Sequence, residues 1–261
     1  MSKERKYTTQ LQAGLGLIEE TRTLLSVWRP GMKTTELFQV SLESGNFSSV
    51  TARRLRNIVS ECFAPRYLVE GDYPASILKT LNSLPSNELS QLFYLFTARA
   101  NLIFEDYVKS VYWRKYLGGQ EFMTNEDSRS FVVEANMTGK TVKPWSESTI
   151  KRVSSYILGC CVNFGLIQPA SKGNYKINSF RPTQRAMAFL AYDLHFAGLG
   201  DGAVIGHSDW ELFGLQKEDV REELKRLSLK GYFIVQSAGE LIRIGWNYKT
   251  WEELANVIIK G

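Results

Sequence analysis

At 261 residues, 44% apolar and 12% aromatic, the chain carries enough apolar side chain for one large core or two to three small ones, which excludes a disordered protein. Its net charge of +5 and pI near 9.0 lean towards an anionic partner. Three cysteines, Cys62 and the adjacent Cys160 and Cys161, give neither a disulfide framework nor the spacing of a metal knuckle, and fit a reducing cytoplasm.

The N-terminus MSKERKYTTQ has no apolar core of a signal peptide behind it. The two most apolar stretches are residues 156–167, too short to span a bilayer, and residues 186–206, interrupted by Asp193, His195 and Asp201. A membrane helix needs about 20 apolar residues, so a cytoplasmic protein without a membrane segment is expected.

Leu11, Leu15, Ile18, Leu24, Leu25 and Trp28 share one face of a helix expected from Thr9 to Trp28, ended by Pro30-Gly31. A second helix starts at a Thr34 or Thr35 cap and stops at Gly45. A third follows a Ser48 or Ser49 cap, with Leu55, Ile58, Val59, Cys62 and Phe63 on its apolar face and Arg53, Arg54 and Arg56 on the other. A helix, a short glycine-containing turn and a helix with arginines near its start form a helix-turn-helix pattern. An αα-hairpin with exposed arginines fits the same residues. Residues 1–70 are therefore read as an N-terminal helix-turn-helix-like region.

Residues 71–139 read as an aromatic-rich helical core. A short helix to Leu84 precedes one long helix from Asn87 to Leu117, which carries Phe93, Tyr94, Phe96, Phe104, Tyr107, Tyr112, Trp113 and Tyr116. Aromatics at helical spacing are more often core than base-stacking platforms. Thr124 and Asp127 then form a capping box for a helix running to Gly139.

Residues 140–192 read as a basic winged-helix module. Ser146 or Ser148 caps a helix whose apolar face is Ile150, Val153, Ile157, Leu158, Cys161 and Phe164. Gly165 ends it, and two short apolar runs around Pro-Ala-Ser-Lys-Gly-Asn read as a hairpin. From Lys140 to Arg185 there are eight bases and one acid, a local +7 that leaves −2 for the rest of the chain. A solvated basic face is the plain reading of such a run. Concentration over one helix and one hairpin is what phosphate binding rewards.

Residues 193–261 repeat the grammar with the opposite charge, as a second, acidic winged-helix-like module. Gly198, Gly200, Gly202 and Gly206 make a flexible loop. A helix through Val220, Leu224, Leu227 and Leu229 leads to strands at residues 232–235 and 241–244, and the region holds eight bases against eleven acids. A protein contact or a homo-oligomer interface is expected here, helped by Trp246, Tyr248 and Trp251.

Enzyme chemistry finds no support. Thr138-Gly139-Lys140-Thr141 resembles the end of a phosphate loop, but Glu134 stands where that loop needs a glycine. His207-Ser208-Asp209 is a tripeptide, whereas a triad is assembled in space. With two histidines and no ligand pair at metal spacing, no cofactor or metal is expected.

Tyr7-Thr8-Thr9-Gln10-Leu11, the following helix with Gly14 and Gly16, Arg29-Pro30-Gly31-Met32, Thr51-Ala52-Arg53-Arg54-Leu55 and Pro65-Arg66-Tyr67-Leu68 carry a resemblance. Over most of its length the chain resembles the BrxA family of bacterial BREX (bacteriophage exclusion) phage-defence systems. The resemblance implies a mostly helical protein with helix-turn-helix character and a likeness to the NusB antitermination fold. It also implies double-stranded DNA binding and work alongside the other BREX proteins. The family has carried an inner-membrane label, which the apolar runs here do not support.

The expectation is thus a mainly α protein built as a helical bundle with helix-turn-helix and winged-helix modules bearing small β-hairpin wings. It would bind duplex DNA without catalysis, mostly through phosphates. Arg53, Arg54 and Arg56 would form one contact surface, Lys151 and Arg152 the start of the recognition helix, and Lys172, Lys176 and Arg181 the wing and its flank. The alternative is a protein–protein adaptor, or an RNA binder in the manner of NusB.

Overall fold

The computed structural model of the chain describes residues 5–13, 15–69, 71–238 and 241–260. It is mainly helical, with two small antiparallel sheets, and divides into two compact units. Unit 1 is Met1–Asn82 with Phe93–Phe180; unit 2 is Ser83–Leu92 with Arg181–Gly261. Among the described residues no helix is long and apolar enough to cross a membrane.

Unit 1 opens differently from the single helix expected over residues 9–28. Gln10–Ala13 is a short 3-10 turn and α1 spans only Ile18–Val27, because Leu17 takes a left-handed conformation (φ 47°) that restarts the helix. Gly14 lies outside the described residues. Tyr7 pairs with Thr141 in a one-residue bridge, donating its N–H to Lys140 O (2.8 Å) and accepting at its O from Val142 N (3.1 Å). Its ring is 1% exposed, as is Leu11, so the N-terminal resemblance motif is anchored in the core.

The second helix, α2 (Thr34–Glu43), has Lys33 at its cap position with no side-chain bond, so the expected threonine cap does not form. The third, α3 (Ala52–Asn57), is capped by Thr51, whose Oγ1 accepts from Arg54 N at 3.2 Å; the cap is not Ser48 or Ser49. The helix continues through a π-helical turn, Ile58–Phe63, into α4 (Ala64–Tyr67). α5 spans Tyr73–Thr80. Lys79 Nζ donates to Leu25 O, Ser26 O and Trp28 O at 2.9, 3.0 and 2.7 Å, satisfying the carbonyls that α1 leaves open at its end.

The expected 87–117 helix is broken. α6 (Ser86–Ala100) stops at Asn101, whose backbone leaves the helical region (φ −128°, ψ 86°) while its side-chain amide donates to Thr97 O at 2.8 Å. α7 (Leu102–Tyr107), a second π turn (Val108–Tyr112) and α8 (Trp113–Leu117) complete the stretch. Its aromatics are core: Phe93, Tyr94, Phe104, Tyr107 and Tyr112 are all 0% exposed. Tyr94 packs on Phe104, Phe164 and Phe180 with ring centroids 5.5–6.0 Å apart.

A strand absent from the sequence reading follows, β1 (Phe122–Thr124). Then come α9 (Asn125–Met137), with the expected Thr124–Asp127 capping box, and α10 (Glu147–Asn163), capped by Ser146. The hairpin strands are β2 (Ile167–Ser171) and β3 (Asn174–Ile177), and β1 joins them in the order β1-β3-β2.

Unit 2 contains α11 (Gln184–Phe196), α12 (Asp201–Ile205), a 3-10 turn at Ser208–Phe213, α13 (Lys217–Leu229), the β4 (Phe233–Ala238) and β5 (Leu241–Trp246) hairpin, and α14 (Trp251–Lys260). The glycines expected to make a loop instead bracket and populate α12, with Gly200 as its cap residue and Gly206 at its end. The turn residues Gly239 and Glu240 lie outside the described residues. The aromatic tail is internal to the unit. Trp246 packs on Tyr192 (4.9 Å) and stacks on His195 (4.1 Å, 7°), Tyr248 packs on Tyr192 (5.8 Å), and Trp251 packs on Phe189 (5.2 Å) and Phe196 (4.9 Å). These rings thus pack within unit 2 while each stays half-buried.

Candidate nucleic-acid interface

In unit 1 the run from Leu102 to Ile177 has the order helix, β1, α9, α10, β2, β3. Its apolar pattern decides which side of α10 is free. Ile150, Val153, Ile157, Leu158 and Cys161 are 0–6% exposed, while Lys151, Arg152 and Ser155 point to solvent. Ser128 Oγ donates to Ser154 O (2.9 Å), a buried bond that fixes α9 against α10.

The far end of α10 is not free. The segment after the N-terminal turn crosses it so closely that a Cβ on Gly16 would stand 2.6 Å from Asn163 Cβ, and one on Gly159 2.8 Å from Leu15 Cδ1. Gly16 N donates to Asn163 Oδ1 at 3.0 Å. A ligand approaching α10 therefore meets its first two to three turns, where Lys151 and Arg152 sit. The one acid of the basic segment, Glu147, is turned to Arg129 (2.7 Å), which offsets its charge.

The hairpin is held as firmly. Gly173, with φ 77°, makes the turn; its O accepts from Asn125 N (3.0 Å), and a Cβ there would meet Asn125 Nδ2 at 3.3 Å. This places Lys172 at the tip beside the start of α9. Lys176 lies on β3, opposite Phe122 of β1 on one side and Gln168 of β2 on the other. Asn178 Nδ2 donates to Gly165 O (2.9 Å), closing the hairpin onto the end of α10. β2 is an edge strand, so Pro169 is tolerated.

Arg53, Arg54 and Arg56 are exposed on α3, with the Arg56 guanidinium 4.9 Å from the centre of the Phe38 ring. They sit on a different element from Lys151 and Arg152, but the Gln10–Ala13 turn packs against both α10 and the π turn that continues α3. Arg181 is exposed and belongs to unit 2. Lys151 and Arg152 share one helix face, and Lys172 and Lys176 share one hairpin.

Sequence reasoning missed Phe122 and Gln168, since three residues after Gly118-Gly119 give too short an alternation to mark a strand.

The cysteines and the His-Ser-Asp tripeptide have structural surroundings. All three thiols are buried, and burial pushes Cys160 up to about 12 against the opposing charge of Arg66; Cys62 and Cys161 are raised for the same reason. They stay protonated at neutral pH and are poor nucleophiles. His207 Nδ1 accepts from Asp209 N (3.2 Å), so the His-Ser-Asp tripeptide serves to cap the 3-10 turn. Among the described residues no cluster of His, Cys, Asp and Glu could hold a metal ion.

Three comparisons bear on this arrangement. A family model, BrxA, matches residues 5–193. The "BREX protein BrxA" of Bacillus cereus (strain H3081.97) is 20% identical over 202 residues, covering 77% of this chain and 96% of that protein. An uncharacterized protein from Magnetospirillum magneticum, known from its crystal structure, superposes with a TM-score of 0.57 at 15% identity, covering 73% of this chain and 95% of its own, and so shares the fold. The family match takes in the whole of the basic run Lys140–Arg185 and ends inside α11. The chain belongs to the BrxA family, as does the Bacillus cereus BREX protein it resembles.

Proposed function

We propose that this chain is a non-enzymatic, duplex-DNA-binding accessory protein of a bacterial BREX phage-defence system, working in the cytoplasm beside other BREX proteins. The observation that carries the reading is the open face of α10. Lys151 and Arg152 sit on its uncovered N-terminal turns, and the helix passes directly into a pinned hairpin bearing Lys172 and Lys176. The order helix, strand, helix, helix, strand, strand supports a winged-helix reading, in which such a helix would enter the major groove and such a hairpin would lie along the backbone. Lysines and arginines there hold phosphates and read little sequence. Arg53, Arg54 and Arg56 on α3 add phosphate contacts in unit 1, and Arg181, in unit 2, is by itself a further phosphate contact.

The test is a salt series. Wild-type affinity for any duplex falls with salt, by about 0.9 in the log–log slope for each phosphate contacted. The variant K151A/R152A/K172A/K176A flattens that slope by roughly 3 to 4 and weakens binding on all duplexes alike. A folded quadruple variant with wild-type affinity and slope overturns the assignment.

Unit 2 favours a separate, protein-facing role. It is acidic, and Leu229 and Ile234 are 88% and 57% exposed on α13 and β4, the element pair that corresponds to the basic helix and hairpin of unit 1. Apolar side chains ringed by charge suit contact with a second copy or another defence protein. Sedimentation of the full chain and of L229E/I234E reads this role; an unchanged monomer in both removes the self-association reading.

A further inference from the structure

The outer face of the unit 1 sheet holds a row of side chains that the fold does not use. Antiparallel register sets Phe122 opposite Lys176, and Lys176 opposite Gln168, so the three stand side by side on one face. All three are exposed, Phe122 by 47%. The alternate residues point inward: Met123 is 0% exposed and its partner Tyr175 is half-buried. The core is therefore closed without Phe122. An aromatic ring on a three-residue edge strand, beside a lysine and an amide, is placed for something outside the chain.

We propose that this sheet face seats an unpaired nucleotide, with the Phe122 ring stacked on the base, Lys176 at its phosphate and Gln168 at the base edge. Charge favours a nucleic acid: the hairpin carries two lysines, Lys176 on β3 and Lys172 in the turn, and no acid, against one exposed acid, Glu121, beside Phe122. Stacking selects the unpaired state. A base inside a duplex has both faces covered by its neighbours, so a ring fixed on a sheet reaches only a base that has left the stack. Sheets that take single strands combine an aromatic platform with flanking cations in the same way. The inference rests on the nucleic-acid reading of this module but concerns a different state of the ligand.

Fluorescence anisotropy of the full chain with labelled oligo(dT) and with a closed hairpin duplex separates the two. Phe122→Ala weakens oligo(dT) binding about 10-fold, the size of one lost base–aromatic stack, and leaves duplex affinity within about two-fold. Phe122→Tyr keeps wild-type affinity for both, because the ring remains. Equal oligo(dT) affinity for Phe122→Ala and wild type overturns the seat, and so does an equal loss on both ligands. K151A/R152A serves as the control for the duplex surface. If it leaves duplex binding intact while Phe122→Ala loses oligo(dT), the seat stands and the α10 reading falls. If it loses the duplex while Phe122→Ala changes nothing, the seat alone falls.

Discussion

The two helix-plus-hairpin modules of this chain are built alike and charged oppositely. In each, a helix ends at a glycine with positive φ, Gly165 (74°) after α10 and Gly231 (81°) after α13. In each, an asparagine beyond the second strand donates its amide to that glycine's carbonyl at 2.9 Å, Asn178 to Gly165 and Asn247 to Gly231. A tyrosine then holds the asparagine's backbone: Tyr112 OH donates to Asn178 O (3.4 Å), and Tyr192 OH accepts from Asn247 N (3.2 Å). Shared geometry of this detail says nothing about ligands. On α13 the bases are answered by acids one turn away, Lys225 by Glu222 (2.7 Å) and Arg226 by Glu223 (3.3 Å). On α10 the nearby acid is held by Arg129. The family match covers the basic module and stops before α13.

The strongest break of this comparison is a matched pair of charge reversals. K151E/R152E on α10 lowers duplex affinity about 100-fold near 0.1 M salt, since each lost phosphate contact is worth roughly a factor of ten there. K225E/R226E on α13 leaves it within about two-fold. Anisotropy on one duplex measures both. Equal losses would mean that net charge, and not the α10 face, sets binding.

The modules also protect their sheet edges differently. In unit 1 the outer edge of β3 is covered by a strand, β1. In unit 2 the corresponding edge of β5 has no third strand among the described residues; Asp201 of α12 stands there instead. Its carboxylate accepts from Ile244 N (2.9 Å) and from the Trp246 indole N–H (3.3 Å). On the other edge, Ser228 Oγ accepts from Val235 N at 3.3 Å. Side chains thus close what would be an open template for pairing. Asp201→Ala strands both donors and destabilises unit 2 by about 1 to 3 kcal/mol, with faster amide exchange at Ile244 and no change in unit 1. Hydrogen exchange followed by mass spectrometry locates the effect, and protection lost uniformly over both units contradicts it.

Much of this was legible in sequence where the determining interactions are local. The Ser146 cap, the Thr124–Asp127 box, the glycine stops and the apolar face of α10 each depend on residues within a few positions of one another, and the structure has them. What escaped depends on distant partners. β1 exists because Lys176 and Tyr175 pair with it some fifty residues later. Asn101 breaks its helix although asparagine alone does not require a break. The glycine run at residues 198–206 reads as a loop until Asp201 finds β5. For the same reason the covered half of α10 was invisible: Gly16 and Asn163 carry no signal until they touch.

The smallest effect concerns pH, and it also separates the units, because both histidines, His195 and His207, lie in unit 2. Burial holds His195 below its ordinary value of 6.5, with the Asp201 carboxylate opposing. Its ring stacks on Trp246 at 4.1 Å and faces Tyr192 and Phe196 at 6.4 and 5.6 Å, so the charged form loses water there and gains little in return. The unfolded chain then binds the proton first as pH falls below 6.5. Unit 2 is consequently at full stability above that pH and weakens on acidification towards the lower folded value, while unit 1 has no histidine to respond. A proton NMR titration follows this directly, since two histidines give two C2–H resonances. His195 titrates below 6.5, Trp246→Ala moves it back towards 6.5 by admitting water, and Asp201→Ala moves it lower. A wild-type midpoint at or above 6.5 would show that the carboxylate outweighs burial, and the acid-side weakening of unit 2 would then not occur.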